Sequence, residues 1–265
     1  MSFQKPSSSV IRKRVHGLTV YIGPDWLLAV DRAAEYMRSM TVAPLLVLAE
    51  PGKTIAIHAD GSEEPIVSNA ILAAPGSVGG SPTVDSGGLF LYFDPVTAAG
   101  RAITRLACSH PSGHLQWALP DAIDWSADFF SRLLLGGATD LEIDQWQASV
   151  RSELLQCSGL PDLIEWRLKH VAEALMENPG GRIESDRLAG DIGWSAPHLR
   201  DYFRIQVGMS MSKYQVWCRI FKAQTSLSSS ATDRLLHAGF YDASHGIKAI
   251  RKYLGVPSSR VRSRS

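Results

Sequence analysis

Between Ser195 and Arg204 the sequence SAPHLRDYFR leaves His198, Arg200, Asp201 and Arg204 together on one side of a predicted helix. Leu199, Tyr202 and Phe203 recur at i, i+3 and i+4 and claim the opposite, inward side. Guanidinium and imidazole groups carried on one helical face can bond phosphate oxygens and base edges. The same pattern also suits the solvated face of a buried helical hairpin. No other cluster has the spacing of chemistry: Ser, His and Asp residues are scattered, without a nucleophile elbow, a phosphate loop or paired carboxylates. An enzyme is therefore not expected, and no cofactor is called for.

A helix presenting those residues needs a start and a support. Ser195 followed by Ala-Pro supplies the start, since a serine N-cap accepts a backbone N–H and proline is tolerated in the first turn. Upstream, Leu188, Ala189 and Ile192 share a face of a helix over Ser185 to Ile192, which Gly193 ends, with Trp194 as an apolar filler. Helix, glycine turn and helix form the helix-turn-helix arrangement, whose second helix enters the major groove. Pro161 and Asp162 open a preceding support helix with Ile164, Leu168, Val171 and Leu175 on one face, ended by Asn178-Pro-Gly-Gly. Beyond, Ser212 to Ser226 predicts a long helix with Tyr214, Trp217 and Ile220 or Phe221 inward and Arg219 and Lys222 outward. Thr232 caps a helix over Asp233 to Ala238, and Gly239 turns the chain into another over Asp242 to Tyr253.

The runs GMSMSKYQVWCRIFKAQ and LLHAGFYDASHGIKAIRKYLGVPSS, together with the segment before them, resemble the paired helix-turn-helix module of the AraC/XylS transcription regulators. The matching residues are Leu188, Ala189, Ser195, Leu199, Phe203, Gly208, Tyr214, Arg219, Ala223, Gly239, Phe240, Asp242, Gly255 and Pro257. The resemblance implies promoter DNA as partner and two reading heads joined by one rigid helix. In the first head it points to Ser195, Pro197, Arg200 and Asp201, with His198 and Arg204 beside them. Arg200 leads because arginine bonds guanine bidentately; Asp201 either accepts from a cytosine amino group or repels phosphate. In the second head the candidates are Ser244, His245 and Lys248, with Arg251 and Lys252 on the DNA backbone. Here the pattern departs from the family: Gly246 replaces a buried Phe or Leu, Leu235 a small Ala, and Ile250 an aromatic. Glycine inside a helix costs about 1 kcal/mol relative to alanine, so a looser second head is expected, contributing affinity more than base choice. The tail RVRSRS suits either non-specific backbone contact or a solvated terminus.

From Val15 to Phe93 short apolar runs alternate with Gly, Pro, Asp and Ser clusters: LTVYI, APLLVLAEPGKTIAIHADG, EEPIVSNAILAAPGSVGGSP and GLFLYFDP. These read as strands of a small sandwich or barrel, with Asp31 to Met40 undecided between helix and irregular edge. With TAAGRAITRLA following LYFDP, this half is similar to the degenerate cupin-type sensor domain of one AraC branch. Metal-binding cupins gather several histidines and a carboxylate, whereas only His16 and His58 precede Leu91, and Met40 and Pro44 stand in the segment where relatives carry ligands. A metal site is not expected; the interior either holds a small organic effector or is filled by side chains. Phe129 to Leu135 is apolar enough for a buried helix. In the helix expected over Thr139 to Leu155, Ile143, Trp146, Val150 and Leu154 form one stripe. It is covered either by the protein's own sheet or by the same helix of a second chain, the mode of dimerisation the resemblance implies.

The fold class is thus α+β: residues 1–159 a cupin-like β-sandwich or barrel with helices, residues 160–265 an all-α double helix-turn-helix, divided at Cys157-Ser-Gly-Leu-Pro161. The net charge of +1 hides an asymmetry, because residues 1–159 carry 11 Lys and Arg against 16 Asp and Glu, and residues 160–265 carry 16 against 10. The basic module is the one expected on DNA, at a density low enough for dimerisation or a second contact to matter. Cys108, Cys157 and Cys218 lack metal or redox spacing. With no signal-peptide layout and no run of 18 apolar residues, a cytoplasmic location without membrane contact is expected. A homodimer is expected, and RNA polymerase and a small-molecule effector stay open as partners. The rival reading is an effector-binding or interaction module that modulates another regulator without reading DNA.

Overall fold

Apolar runs as unbroken as Leu45–Ala49 and Gly88–Phe93 belong in a sheet buried on both sides. In the computed structural model, which describes residues 10–15, 18–32, 39–60, 63–80, 87–226, 228 and 230–254, they lie side by side in such a sheet. The strands are β1 (Ile11–Val15), β2 (Leu18–Ile22), β3 (Trp26–Asp31), β4 (Ser39–Met40), β5 (Leu45–Ala49), β6 (Ile55–Ala59), β7 (Ile66–Ser68), β8 (Ala70–Ala73), β9 (Val78–Gly80) and β10 (Gly88–Phe93). Then come α1 (Ala98–Ala107), β11 (His114–Gln116), α2 (Ala127–Leu135) and α3 (Asp140–Ser158). A seven-stranded antiparallel sheet has the order β1-β2-β3-β10-β5-β8-β11, and a four-stranded one the order β4-β9-β6-β7. Most of the undecided stretch from Asp31 to Met40 lies outside the described residues, as do His16, Gly255, Pro257 and the RVRSRS tail.

Along the central strands alternate side chains enter different cores, as the period of two requires. Leu46, Leu48, Leu72, Leu89, Leu91 and Phe93 face α1, α2 and α3. Leu45, Val47, Ile71, Phe90 and Tyr92 face Ile55 and Ile57 of the small sheet, and their core continues without a break into the helical half. The α3 stripe is settled by this layering. Ile143, Trp146, Val150 and Leu154 are buried within the same chain, in the core that includes Ala99, Ala102 and Ile103 of α1. The dimerisation role expected for these four residues is therefore corrected: their face is already covered. A capping box of Thr139 and Glu142 starts α3, which runs past the expected Leu155 to Ser158 before left-handed Gly159 ends it.

The second half consists of α4 (Trp166–Glu177), α5 (Ser185–Asp191), α6 (Ala196–Val207), α7 (Met211–Thr225), α8 (Ala231–His237) and α9 (Ala243–Leu254). Helix α4 starts later than Pro161, because the Glu165 carboxylate accepts from the backbone N–H groups of Arg167 and Leu168 and fixes the N-terminus there. Ser230, not Thr232, caps α8 by accepting from the Asp233 N–H. Helix α7 is the centre of this half: Met211, Tyr214, Gln215, Trp217, Cys218, Ile220, Phe221 and Ala223 are all buried, around most of its circumference.

The junction between the halves has a buried carboxylate at its middle. Asp94, at the end of β10, accepts from the Val96 N–H at 3.0 Å, and the Tyr214 hydroxyl of α7 donates to both its oxygens at 3.2 Å. The Trp217 indole N–H faces the same group from outside regular hydrogen-bond geometry, and its ring lies 6.4 Å from that of Tyr92. Around this centre, Lys13 of β1 donates to the carbonyls of Gln224 and Ser226. Arg101 of α1 donates to the Leu163 carbonyl, and the Tyr92 hydroxyl reaches the Leu254 carbonyl at the end of α9.

Burial raises the Asp94 carboxyl from 3.8 to about 6, against the lowering effect of its hydrogen bonds from Val96 and Tyr214 and of the nearby Trp217 indole N–H. Because the folded value lies above the unfolded one, the protonated acid favours the folded junction. That contribution is complete below pH 3.8 and is lost as the pH rises through about 6. Ionised Asp94 therefore costs the folded state on the order of 2–3 kcal/mol at neutral pH. In urea denaturation between about pH 5 and pH 8, Asp94→Asn is expected to be more stable than the parent at the upper end and to lose part of the pH dependence. Parallel pH profiles for the two proteins would contradict this.

Candidate nucleic-acid interface

The first head is a pair of short helices around a left-handed glycine. Helix α5 stops at Ile192, Gly193 takes φ +73°, and Ser195 Oγ accepts from the His198 N–H, with Pro197 in the first turn of α6. Ala196, Leu199, Phe203 and Val207 are buried, which turns Pro197, His198, Arg200, Asp201 and Arg204 outward, all of them exposed along with Ser195. Gly208 closes the helix in the left-handed conformation.

The outward side chains are differently held. Asp201 and Arg204 form an exposed ion pair at 3.7 Å, so part of the aspartate's charge is answered within the helix. His198 stands edge-on to Trp194 with ring centroids 4.5 Å apart. Trp194 also meets Tyr202 at 4.8 Å, and the Arg167 guanidinium lies 5.2 Å from its ring. The residue taken as an apolar filler is thus a clamp joining α4 to α6; its place just before the N-cap, where apolar residues fix the entry of a helix, was the available signal. Arg200 makes no side-chain bond or ion pair among the described residues and projects freely.

The second head repeats the design with different packing. Gly239 takes φ +91°, and the Asp242 carboxylate accepts from the His245 N–H at 2.7 Å ahead of α9. Ser244, His245, Lys248 and Lys252 are exposed, while Arg251 is half-buried. Phe240 holds His245 edge-on with ring centroids at 5.7 Å, and 89%-exposed Tyr241 precedes the helix.

Of the three departures expected to loosen this head, two compensate each other. A Cβ on Gly246 would fall 2.7 Å from Leu235 Cδ2, so the space that a large residue on α9 would fill is occupied from α8 by Leu235. Leu235, Ala249 and Ile250 are buried together in the shared core. The intrinsic cost of a helical glycine stays, but the packing forfeited at Gly246 is supplied by its partner.

Two residues outside the expected sites are also placed by the fold. Arg219, read as outward, is half-buried over the Phe240 ring at 5.5 Å. His114, absent from the expected sites, is buried at the edge strand β11, and desolvation lowers its pKa. Among the described residues no group of three or more His, Cys, Asp or Glu side chains is placed to hold a metal ion.

No family model matches the chain, and no curated protein matches it by sequence. Solved structures do match its fold. ToxT from Vibrio cholerae O395 superposes with a TM-score of 0.58 at 10% identity, over 89% of this chain and 97% of that one. The chain has the ToxT fold. The same protein bound to (E)-4-(8-methylnaphthalen-1-yl)but-3-enoic acid gives a TM-score of 0.56 at 10% identity, over 89% and 98% of the chains. Unsaturated fatty acid bound wild-type ToxT from strain SCE256 gives 0.53 at 9%, over 90% and 95%. ToxT is an AraC-family regulator with an amino-terminal cupin-like domain, so the α+β architecture implied by the sequence resemblance is the architecture present. At these identities the likeness is one of fold.

The compensating pair can be tested by denaturation. Leu235→Ala alone is expected to cost about 2–5 kcal/mol, and Gly246→Leu alone to collide with Leu235. The double variant should exceed the sum of the single effects in stability by about 1–3 kcal/mol. Additive effects would show that the two positions do not share one space.

Proposed function

We propose that the protein is a sequence-specific DNA-binding transcription regulator of the AraC/XylS type, reading adjacent major-groove segments with α6 and α9. The observation that carries this is that both helices bury one face in a common core and leave unpaired polar or basic side chains outward, Arg200 on one and Lys248 on the other. The basic excess lies in the same half of the chain. Two such helices can enter major-groove segments about one helical turn, roughly 34 Å, apart. Ser195 and Pro197 set the backbone of the first reading helix, Arg200 reads a base edge, and Asp201 positions Arg204 for phosphate. Ser244 and His245 approach bases in the second groove, and Lys248, Arg251 and Lys252 neutralise phosphates.

The activity is regulatory and not enzymatic on this reading, and it belongs in the cytoplasm, where promoter DNA lies. Among the described residues no helix is long and apolar enough to cross a membrane. ToxT carries a fatty acid in one of its structures, which supports a small organic effector as a second partner. A homodimer or a contact with RNA polymerase would use a surface other than the α3 stripe, which is buried within the chain.

A mobility-shift assay on duplexes enriched from a random pool tests the reading. Specific retention is expected, weakening as salt rises from about 0.05 M to 0.2 M. Arg200→Ala should lower affinity by roughly 5- to 150-fold and relax preference at one base pair. Lys248→Ala should weaken all sequences alike and reduce the salt slope by about one. Release of every duplex near 0.15 M salt would favour the rival role, an effector-binding or interaction module without DNA reading.

A further inference from the structure

Two glycines from different heads touch through their backbones. Gly180 lies in the loop between α4 and α5 of the first head, and Gly239 in the turn between α8 and α9 of the second. A Cβ on Gly180 would fall 2.8 Å from Gly239 Cα and 2.9 Å from its carbonyl oxygen; a Cβ on Gly239 would fall 2.7 Å from both Cα and N of Gly180. Those atoms are main chain on both sides, so neither can turn aside as a side chain would. Real Cβ atoms essentially never come this close, which means that any residue larger than glycine at either place must push the loop and the turn apart.

Helix α7 holds the two pieces from behind. Gln215 donates from Nε2 to the Gly181 carbonyl at 3.1 Å, anchoring the first head's loop. One turn along the same face, Arg219 stacks its guanidinium over Phe240, next to Gly239. One helical face thus grips both the loop of one head and the turn of the other, and the glycine pair closes the triangle. A helix joined to the heads only at its ends would leave their mutual rotation to the bending of short connections. Here a third contact removes that freedom.

We infer that the Gly180–Gly239 contact, braced by Gln215 and Arg219, fixes the separation and phase of α6 and α9, and so makes the protein selective for the number of base pairs between two half-sites. The inference rests on the DNA-reading proposal and extends it from which bases are read to how far apart. The reason is helical geometry: with 10–10.5 base pairs per turn, each inserted pair swings the second half-site by about 35° around the duplex. A locked pair of heads cannot follow that swing. The glycines and Gln215 act as positioning residues, touching no DNA themselves.

The test uses the full chain and a set of duplexes in which the two half-sites found by selection are separated in steps of one base pair, plus a duplex carrying the first half-site alone. The parent is expected to bind one spacing best and to lose at least tenfold when one base pair is added or removed. Gly180 is outside the left-handed region, so Gly180→Ala meets only the steric clash. It should shift or flatten the spacing profile while affinity for the single half-site stays within about twofold. Gly239→Ala is a poorer probe, because alanine at φ +91° is strained whatever its neighbours. Should Gly180→Ala fail to fold, Gln215→Ala carries the test, since it loosens the brace without a clash and should broaden the profile. A folded variant with the parent's sharp profile overturns the inference, as does a parent indifferent to spacing, and in both cases the DNA-reading proposal stands. A parent that retains neither kind of duplex overturns that proposal and this inference together.

Discussion

Everything in this molecule depends on one helix that is buried around most of its circumference. Helix α7 buries Trp217 and Tyr214 against the sheet, where Tyr92 and Asp94 meet them, and buries Ile220, Phe221 and Ala223 among the helices of both heads. An apolar side chain of this size contributes about 1.5–3 kcal/mol when removed from water, so the helix cannot slide or roll without exposing several of them together. That is why the two halves share a core. The sheet domain does not hang from a tether near residue 160; it forms one wall of the structure that holds α6 and α9.

Placing a carboxylate inside such a wall is unfavourable, and its surroundings show how it is tolerated. The backbone N–H of Val96 and the Tyr214 hydroxyl answer the charge, while Tyr214 itself is held far above its usual pKa by burial and by Asp94, so it remains a donor. Hydrogen bonds reduce the penalty without cancelling it, and the remaining upward shift of Asp94 records the excess of desolvation. The opposite face of the sheet is conventional by comparison: α1, α2 and α3 close it with apolar side chains.

The sequence made the paired helices of the second half legible and left the junction hidden, and the difference is physical. Caps and turns are local, so Ser195, Gly193 and Gly239 announced the helices they bound within a residue or two. The strands showed as apolar runs, but burial on both faces removed the alternation that would have assigned Leu45 and Leu46 to different cores. Periodicity revealed that Ile143, Trp146, Val150 and Leu154 share a stripe and could not say what covers it. The contacts of Asp94 with Tyr214 and of Gly180 with Gly239 join positions far apart in the chain, where no local pattern reports them. Leu235 and Gly246 misled for the same reason, each looking like a defect until its partner was beside it.

On the proposed reading α7, buried around most of its circumference, presents α6 and α9 to one duplex as a rigid pair. Hydroxyl-radical footprinting on a selected promoter duplex bears on it most directly. Two protected patches on the same face of the DNA, with centres about 10 base pairs apart, are the expected result. Protection of a single patch, with the adjoining turn of the duplex as reactive as free DNA, would contradict it.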